Sequence, residues 1–222
     1  GVAHLCGHDG HVASLLGAAK ILAEMRDTLP GTIKFIFEPS EEATPADEIC
    51  GAEAMINDGV LENPQIDAIF GAHFYPDWKA GTVALKSGVV FSGNDVVHLT
   101  VRGQESHSAV PHEGVDAIYI ASQIVTATQG LAAHMDINEA VSLHWTTIHG
   151  GRISNLIAGE VVLEGSFRFS NEYLRDSMPA RIEQLVKGIC AAFGATYELN
   201  FGVRPMPAVV NSAQEVNIMR RA

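Results

Sequence analysis

Apolar residues recur first at helix spacing and then at strand spacing along the first third of the chain. At 12–25 they follow the three- and four-residue spacing of one helix face, which predicts a helix. Short apolar runs at 32–37, 67–70 and 81–86 predict strands, buried in the first case, and a second helix is predicted at 51–57. Helices that alternate with short buried strands are typical of an α/β fold.

Near Gly88 the pattern changes to longer strands in which apolar and polar residues alternate. The β-α-β-β-α-β order predicted there is that of the split ferredoxin-like unit. We therefore predict an α/β protein in which an α+β domain at 88–203 interrupts a first domain formed by 1–87 and 204–222, the last ending in a helix-like segment at 213–222. The elements of the inserted domain are predicted at 95–101 (strand), 115–133 (helix), 140–148 (strand), 160–169 (strand), 172–193 (helix) and 196–201 (strand).

Length, charge and cysteine content narrow the class of protein. A chain of 222 residues is long enough for one large domain or two smaller ones. The net charge of −12 disfavours a nucleic-acid or anionic-membrane partner, since no basic stripe offsets it. No run approaches the ~18 apolar residues of a membrane span. Three cysteines do not make a disulfide framework and fit a reducing compartment, so we expect a cytoplasmic protein.

The first eleven residues, G-V-A-H-L-C-G-H-D-G-H, concentrate side chains that bind metal ions. His4, Cys6, His8, Asp9 and His11 occupy five of eight consecutive positions. Imidazole and thiolate together suit zinc, or manganese and cobalt where carboxylates join them. The alternative is a polar helix start in which Asp9 is the N-cap and the histidines are merely exposed.

Two predicted strands of the first domain end in further metal-type residues. Glu41 and Glu42 follow the strand at 32–37, and His73 follows the strand at 67–70. Ligands in open α/β sheets bind outside the carboxyl ends of the strands, so these side chains are expected to meet the first cluster. One glutamate can ligate a metal while its neighbour acts as general base on water. The alternatives are a solvated acidic loop and a structural histidine.

Three residues of the inserted domain have side chains that an acyl-transfer site uses. His107 lies in the loop H-S-A-V-P-H between a strand and a helix, Asn155 lies between two strands, and Arg168 lies near the end of the next. A histidine, an amide donor and a guanidinium can bind an oxyanion and a substrate carboxylate. Each such residue taken alone is more often structural.

In combination these motifs resemble those of the dimetal aminoacylase/carboxypeptidase superfamily, in its hippurate-hydrolase and auxin-conjugate-hydrolase branch. The resemblance rests on H-x-C-G-H-D-x-H, the E-E pair, the strand-end histidine and G-x-x-S-H-S-A-x-P-H, and it extends through P-H-E-G-V-D-A-I. It implies a metal-dependent catalytic α/β domain, here partial, and a ferredoxin-like lid that forms a homodimer. It also implies two divalent ions, manganese or zinc with cobalt or nickel as further options, and hydrolysis of the amide bond of small N-acyl amino acids or related conjugates.

The resemblance implies a role for each matching residue. Glu41 matches the catalytic base, and His107 the lid histidine that steadies the oxyanion in the partner subunit's active site. Asn155 and Arg168 match substrate-binding positions of the lid. The matching metal ligands are Cys6, His8, Glu42 and His73. The segment 43–50 makes the spacing to His73 longer than usual in the family. His4, Asp9 and His11 match positions that support the ligands. Family members carry an upstream aspartate motif and a later ligand histidine, so we expect the chain to be a fragment.

Two other functions stay open at this point. The chain can be a catalytically incompetent metal-binding or dimerisation fragment that lacks the remaining ligands. A serine hydrolase that uses Ser106 or Ser108 beside His107 is less favoured, because neighbours on an extended chain point in opposite directions and no G-x-S-x-G elbow is present.

Overall fold

A computed structural model describes residues 5–42, 49–202 and 206–222. The chain divides into two compact units, Gly1–Ala84 and Leu85–Ala222. Residues 206–222 belong to the second of these units. The assignment of 204–222 to the first domain is therefore not supported by this division and stays a prediction. His4 and residues 43–48 lie outside the described residues.

The described residues of the first unit form the helices α1 (His8–Glu24) and α2 (Gly51–Asn57), with a 3₁₀ turn at Arg26–Thr28. Helix α2 confirms the prediction for 51–57. Helix α1 begins four residues earlier than predicted, because its N-cap Gly7 adopts a φ of 82°, which glycine tolerates without a Cβ clash. Asp9 therefore lies in the first turn, and the alternative that made it the N-cap is wrong.

The strand predictions for the first unit are wrong: the structure describes 32–37, 67–70 and 81–86 without strand pairing. Ile33 is 45% exposed and Phe37 42% exposed, so the first of these runs is not buried either. A strand requires a neighbouring chain for its backbone hydrogen bonds. The apolar pattern records local propensity alone, and the described residues of this unit do not pair with these segments.

The second unit contains the predicted β-α-β-β-α-β order. Its central sheet has the strand order β4-β6-β2-β7, and every adjacent pair is antiparallel. This order is that of a ferredoxin-like sheet and confirms the topology predicted from the sequence. The elements of the unit are β1 (Gly88–Phe91), β2 (Gly93–Arg102), β3 (Ser106–His107), α3 (Ala117–Ala132), β4 (Val141–Gly150), β5 (Leu156–Ile157), β6 (Glu160–Phe169), α4 (Glu172–Phe193), β7 (Thr196–Phe201), β8 (Val209–Asn211) and α5 (Ala213–Met219).

Helices α3 and α4 pack on one face of this sheet and form the core with it. Alternate residues of β2 and β6 are buried, as a one-sided sheet requires. Asn171 caps α4 by accepting a hydrogen bond from the Leu174 amide at 2.9 Å, and Gly194 ends the helix with a φ of 75°. The core residues with no exposed surface include Val97, Leu99, Val101, Ile124, Leu163, Phe167, Phe169, Leu174, Ile182 and Val186.

Two short antiparallel pairings were not predicted from the sequence. Strand β1 pairs with β8, and β3 pairs with β5 through Ser106↔Ile157 and His107↔Leu156. The second pairing joins the loop of His107 to the loop of Asn155. No helix among the described residues combines the length and apolarity needed to cross a bilayer.

Candidate metal centre

The first unit brings five of the predicted site residues together. Ligand atoms of Cys6, His8 and His73 all lie within 4.8 Å of one another, and so do ligand atoms of His8, Glu41 and Glu42. His8 is common to the two groups. It occupies the first position of α1, and Cys6 precedes it across Gly7, so one helix start presents the thiol and the imidazole together.

His73 is oriented as a metal ligand requires. Its Nδ1 lies 2.7 Å from the carbonyl oxygen of Phe74, and a carbonyl only accepts, so Nδ1 carries the hydrogen and donates. In the neutral ring Nε2 then has the lone pair, and it lies 3.5 Å from Sγ of Cys6. A backbone carbonyl that holds the second ring nitrogen is the usual support of a histidine ligand.

The carboxylates of Glu41 and Glu42 approach the same imidazole. Oε2 of Glu41 lies 3.6 Å and Oε1 of Glu42 3.7 Å from Nε2 of His8. The pKa of the Cys6 thiol is raised, first by its hydrogen bond with Glu42, then by burial, and then by the negative charges of Glu42 and Glu41. The two carboxylates thus favour the protonated thiol. A divalent cation bound here would have the opposite effect on the thiol pKa, because a coordinating thiol is deprotonated.

This donor set fits borderline divalent cations. Thiolate and imidazole nitrogens are zinc ligands, and two carboxylates extend the set toward manganese and cobalt. Two overlapping groups of three ligand atoms that share His8 are compatible with a pair of neighbouring ions. The residues present therefore fit a dinuclear divalent-metal site.

Behind the ligand groups, His11 supports the segment that carries His73. Nε2 of His11 accepts a hydrogen bond from the Phe74 amide at 3.0 Å, so this nitrogen serves the backbone. The His11 ring contacts the His73 ring edge-on at a centroid distance of 4.6 Å. The pKa of His11 is lowered, first by burial and then by the neighbouring His73 and His8, which favours the neutral ring.

Gly10 makes room for Phe74. A Cβ on Gly10 would collide with Cε2 of the Phe74 ring, whereas a Cβ on Gly7 would make only an ordinary contact, at 3.5 Å from Cδ2. Sequence reasoning missed Phe74, which acts here through its amide, carbonyl and ring. The glycines between the histidines were the available signal, since glycine in a helix start often marks close packing.

The second unit holds the other three predicted site residues. His107 and Asn155 are neighbours, because the Ser108 amide donates to the Asn155 carbonyl oxygen at 3.0 Å. Arg168 lies on β6 opposite Asn94 of β2, on the sheet face away from the helices. Among the residues that the structure describes, no hydrogen bond or ion pair joins Arg168 to His107 or to Asn155.

The same loop argues against the serine-hydrolase alternative. Oγ of Ser106 is buried and has no hydrogen-bond partner among the described residues. Nδ1 of His107 accepts the Ala109 amide at 3.1 Å, whereas a histidine that serves a nucleophilic serine donates Nδ1–H to an acid. The described loop therefore lacks the hydrogen bonds of a Ser-His pair.

Comparison with known proteins adds the family. An N-acyl-L-amino acid amidohydrolase from Geobacillus stearothermophilus is 38% identical over 93% of this chain and 55% of its own length. An N-acetyl-L-cysteine deacetylase from Bacillus subtilis is 37% identical over 93% of this chain and 48% of its own length. The chain thus spans about half the length of the curated relatives it matches.

Solved structures agree with these relatives. A protein of methicillin-resistant Staphylococcus aureus superposes with a TM-score of 0.90 at 32% identity, covering 100% of this chain and 57% of its own. The YXEP protein of Bacillus subtilis, a dinuclear metal binding peptidase of the M20 family, superposes with a TM-score of 0.78 at 30% identity, covering 98% and 53%. The model of peptidase family M20/M25/M40 matches residues 1–222, and the chain belongs to this family.

Proposed function

We propose that the protein hydrolyses the amide bond of N-acyl amino acids or related small conjugates with the help of two divalent metal ions. The observation that carries this proposal is the convergence of Cys6, His8, Glu42 and His73 with a second carboxylate, Glu41. Relatives named as an amidohydrolase and a deacetylase support the reaction class. The dinuclear metal centre of a solved relative supports the cofactor.

In this proposal the four ligands hold the ions and Glu41 moves the proton. Divalent ions, when bound, lower the pKa of water and polarise an acyl carbonyl. Glu41 takes the proton of the attacking water and later passes it to the leaving amine. Its position within 4.8 Å of the ligand atoms of His8 and Glu42 supports this role.

Residues of the second unit bind the substrate in this proposal. His107 donates a hydrogen bond to the oxyanion, and Asn155 and Arg168 bind the remainder of the acyl amino acid, its carboxylate included. We further propose that 88–203 is a lid through which two chains form a homodimer, that His107 serves the partner subunit's centre, and that 1–87 and 204–222 belong to the catalytic part. The three cysteines of the sequence, which do not make a disulfide framework, support a reducing, cytoplasmic location.

The test is Glu41→Gln in the complete protein, loaded with manganese or zinc and given a panel of N-acyl amino acids. We expect loss of turnover by at least ~100-fold with metal content unchanged, because the amide cannot accept the proton. Glu38→Gln changes a carboxylate of the same segment that is outside both ligand groups, and it should keep wild-type turnover. Near-normal turnover of Glu41→Gln with metal bound would contradict the proposal.

The second candidate function is a metal-binding or dimerisation module without catalysis. It is favoured by one observation: the two ligand groups among the described residues share His8 and together hold five side chains, fewer than two separate four-coordinate ions use. Retention of metal by the complete protein without hydrolysis of any substrate in the panel would support the module and exclude the hydrolase.

A further inference from the structure

The backbone around His107 is fixed by hydrogen bonds to a neighbouring loop on one side and by a hydrogen bond within its own loop on the other. Residues 106 and 107 pair with β5, and the Ser108 amide donates to the Asn155 carbonyl oxygen at 3.0 Å. On the other side, the Val110 amide donates to the His107 carbonyl oxygen at 2.9 Å. The segments around His107 and Asn155 therefore form a single hydrogen-bonded unit, although 48 positions separate the two residues in the sequence.

Among the described residues, the imidazole of His107 makes one hydrogen bond, with the Ala109 amide. The Ala109 amide lies 3.1 Å from Nδ1, and an amide N–H only donates, so Nδ1 is the acceptor. The neutral ring then carries its hydrogen on Nε2. This tautomer presents a hydrogen-bond donor at the exposed end of the ring, which suits a developing negative charge on oxygen and does not suit a general base at Nε2.

An ion pair ties the same two segments together next to His107 and Asn155. Nη2 of Arg152 lies 2.7 Å from Oε1 and 2.8 Å from Oε2 of Glu105. Glu105 precedes His107 by two residues and Arg152 precedes Asn155 by three. The backbone is close here as well, since a Cβ on Gly159 would lie 3.1 Å from the backbone nitrogen of Glu105.

We propose that Glu105 and Arg152 are positioning residues that, together with the Ala109 amide, hold His107 as the Nε2–H tautomer. Both side chains are substantially exposed, 44% for Glu105 and 71% for Arg152, and exposed ion pairs add little to stability. Their effect falls on the geometry of His107. The effect on catalysis rests on the proposed function. The effects on the His107 tautomer and on hydrogen exchange of the Ala109 amide do not.

The first test is NMR of the 222-residue chain with ¹⁵N-labelled histidine at about pH 8, where histidines are neutral. His107→Gln assigns the signal. We expect a single Nε2–H tautomer for His107 in the wild type. Arg152→Gln should give a mixture of tautomers and faster hydrogen exchange of the Ala109 amide, by about tenfold.

Two further variants separate positioning from general stability. The charge swap Glu105→Arg/Arg152→Glu should restore the single tautomer. Arg175→Gln removes an exposed pair of similar length on α4, where Nη1 of Arg175 lies 2.9 Å from Oε2 of Glu172, and should leave His107 unchanged. A wild-type His107 in the Nδ1–H form, or an Arg152→Gln variant with an unchanged His107 and Ala109 amide, would overturn the inference.

The second test uses steady-state kinetics of the complete, metal-loaded protein. Arg152→Gln should lower kcat about tenfold with KM unchanged, because a loosened oxyanion donor weakens the transition state alone. If the wild type hydrolyses no N-acyl amino acid while the tautomer result holds, the proposed function fails and the positioning inference stands. If hydrolysis is normal in Arg152→Gln, the positioning role fails and the proposed function stands.

Discussion

Replacing Gly10 with alanine separates the packing of the ligand cluster from helix propensity. Gly10 lies inside α1, where alanine is favoured over glycine by roughly 1 kcal/mol. Propensity alone therefore predicts a more stable protein. The structure predicts that this gain is lost, since the new Cβ would collide with Cε2 of Phe74 and lie 2.8 Å from Cδ2.

The magnitude follows from the displacement of the ring. To restore an ordinary carbon–carbon contact of about 3.5 Å with the added Cβ, the Phe74 ring must move by more than ~1 Å. Overpacking in a well-packed core costs ~1–3 kcal/mol. Phe74 is 48% exposed and its ring can partly give way, so the cost lies at the low end of this range and cancels the helix gain. The movement also shifts the amide that donates to His11 and the carbonyl that accepts from His73. Loss of such supporting contacts lowers metal affinity ~10–100-fold.

The assay is a zinc competition titration with a chromophoric chelator, paired with urea unfolding of the metal-free chain. Gly17→Ala is the matched control, because it lies in the same helix and a Cβ there meets nothing within 4 Å. The control should gain up to ~1 kcal/mol in unfolding free energy and keep its zinc affinity. If Gly10→Ala behaved as Gly17→Ala in both measurements, the proposed support of His73 by Phe74 would be refuted.

Two further substitutions test the second unit by urea unfolding. Burial raises the pKa of the Asp95 carboxyl above its unfolded value, so ionisation of Asp95 destabilises the fold above that raised pKa. Asp95→Asn should therefore increase the unfolding free energy at pH 7, and the gain should vanish as the pH falls to about 4. A gain in unfolding free energy that grows on acidification would contradict the raised pKa. Thr128→Val should cost ~1–3 kcal/mol, because Oγ1 of the buried Thr128 accepts the Trp145 Nε1–H at 3.0 Å. A change below ~0.5 kcal/mol would contradict the burial of that hydrogen bond.

The sequence predicted the second unit well because its determinants are local and lie within the unit. Helix α4 matches its predicted range, as the Asn171 cap and Gly194 mark both ends. The strands pair with one another, and the core that buries their alternate apolar residues lies within the same unit. In the first unit the apolar run at 32–37 also predicted a strand, but no described residue forms a strand pair with it, and pairing cannot be read from a local pattern.

The candidate site also has a part that the sequence predicted and a part that it did not. Cys6, His8, Glu41, Glu42 and His73 were identified from motifs whose side chains have metal chemistry, and the structure places their ligand atoms in two compact groups. The groups that orient these side chains were not predicted. The amides of Phe74 and Ala109 belong to the backbone and carry no side-chain signal. The Glu105–Arg152 pair joins residues 47 positions apart, and nothing in the sequence relates them.

The central proposal is that Cys6, His8, Glu42 and His73 hold two divalent metal ions. Its most direct test is elemental analysis of bound metal per chain of the complete protein, after loading with zinc or manganese and removal of free ions. The wild type should retain about two ions per chain, Cys6→Ala distinctly fewer, and the control Cys50→Ala as many as the wild type, because Cys50 is outside both ligand groups. Equal metal content in the wild type and Cys6→Ala, or none in either, would contradict the claim.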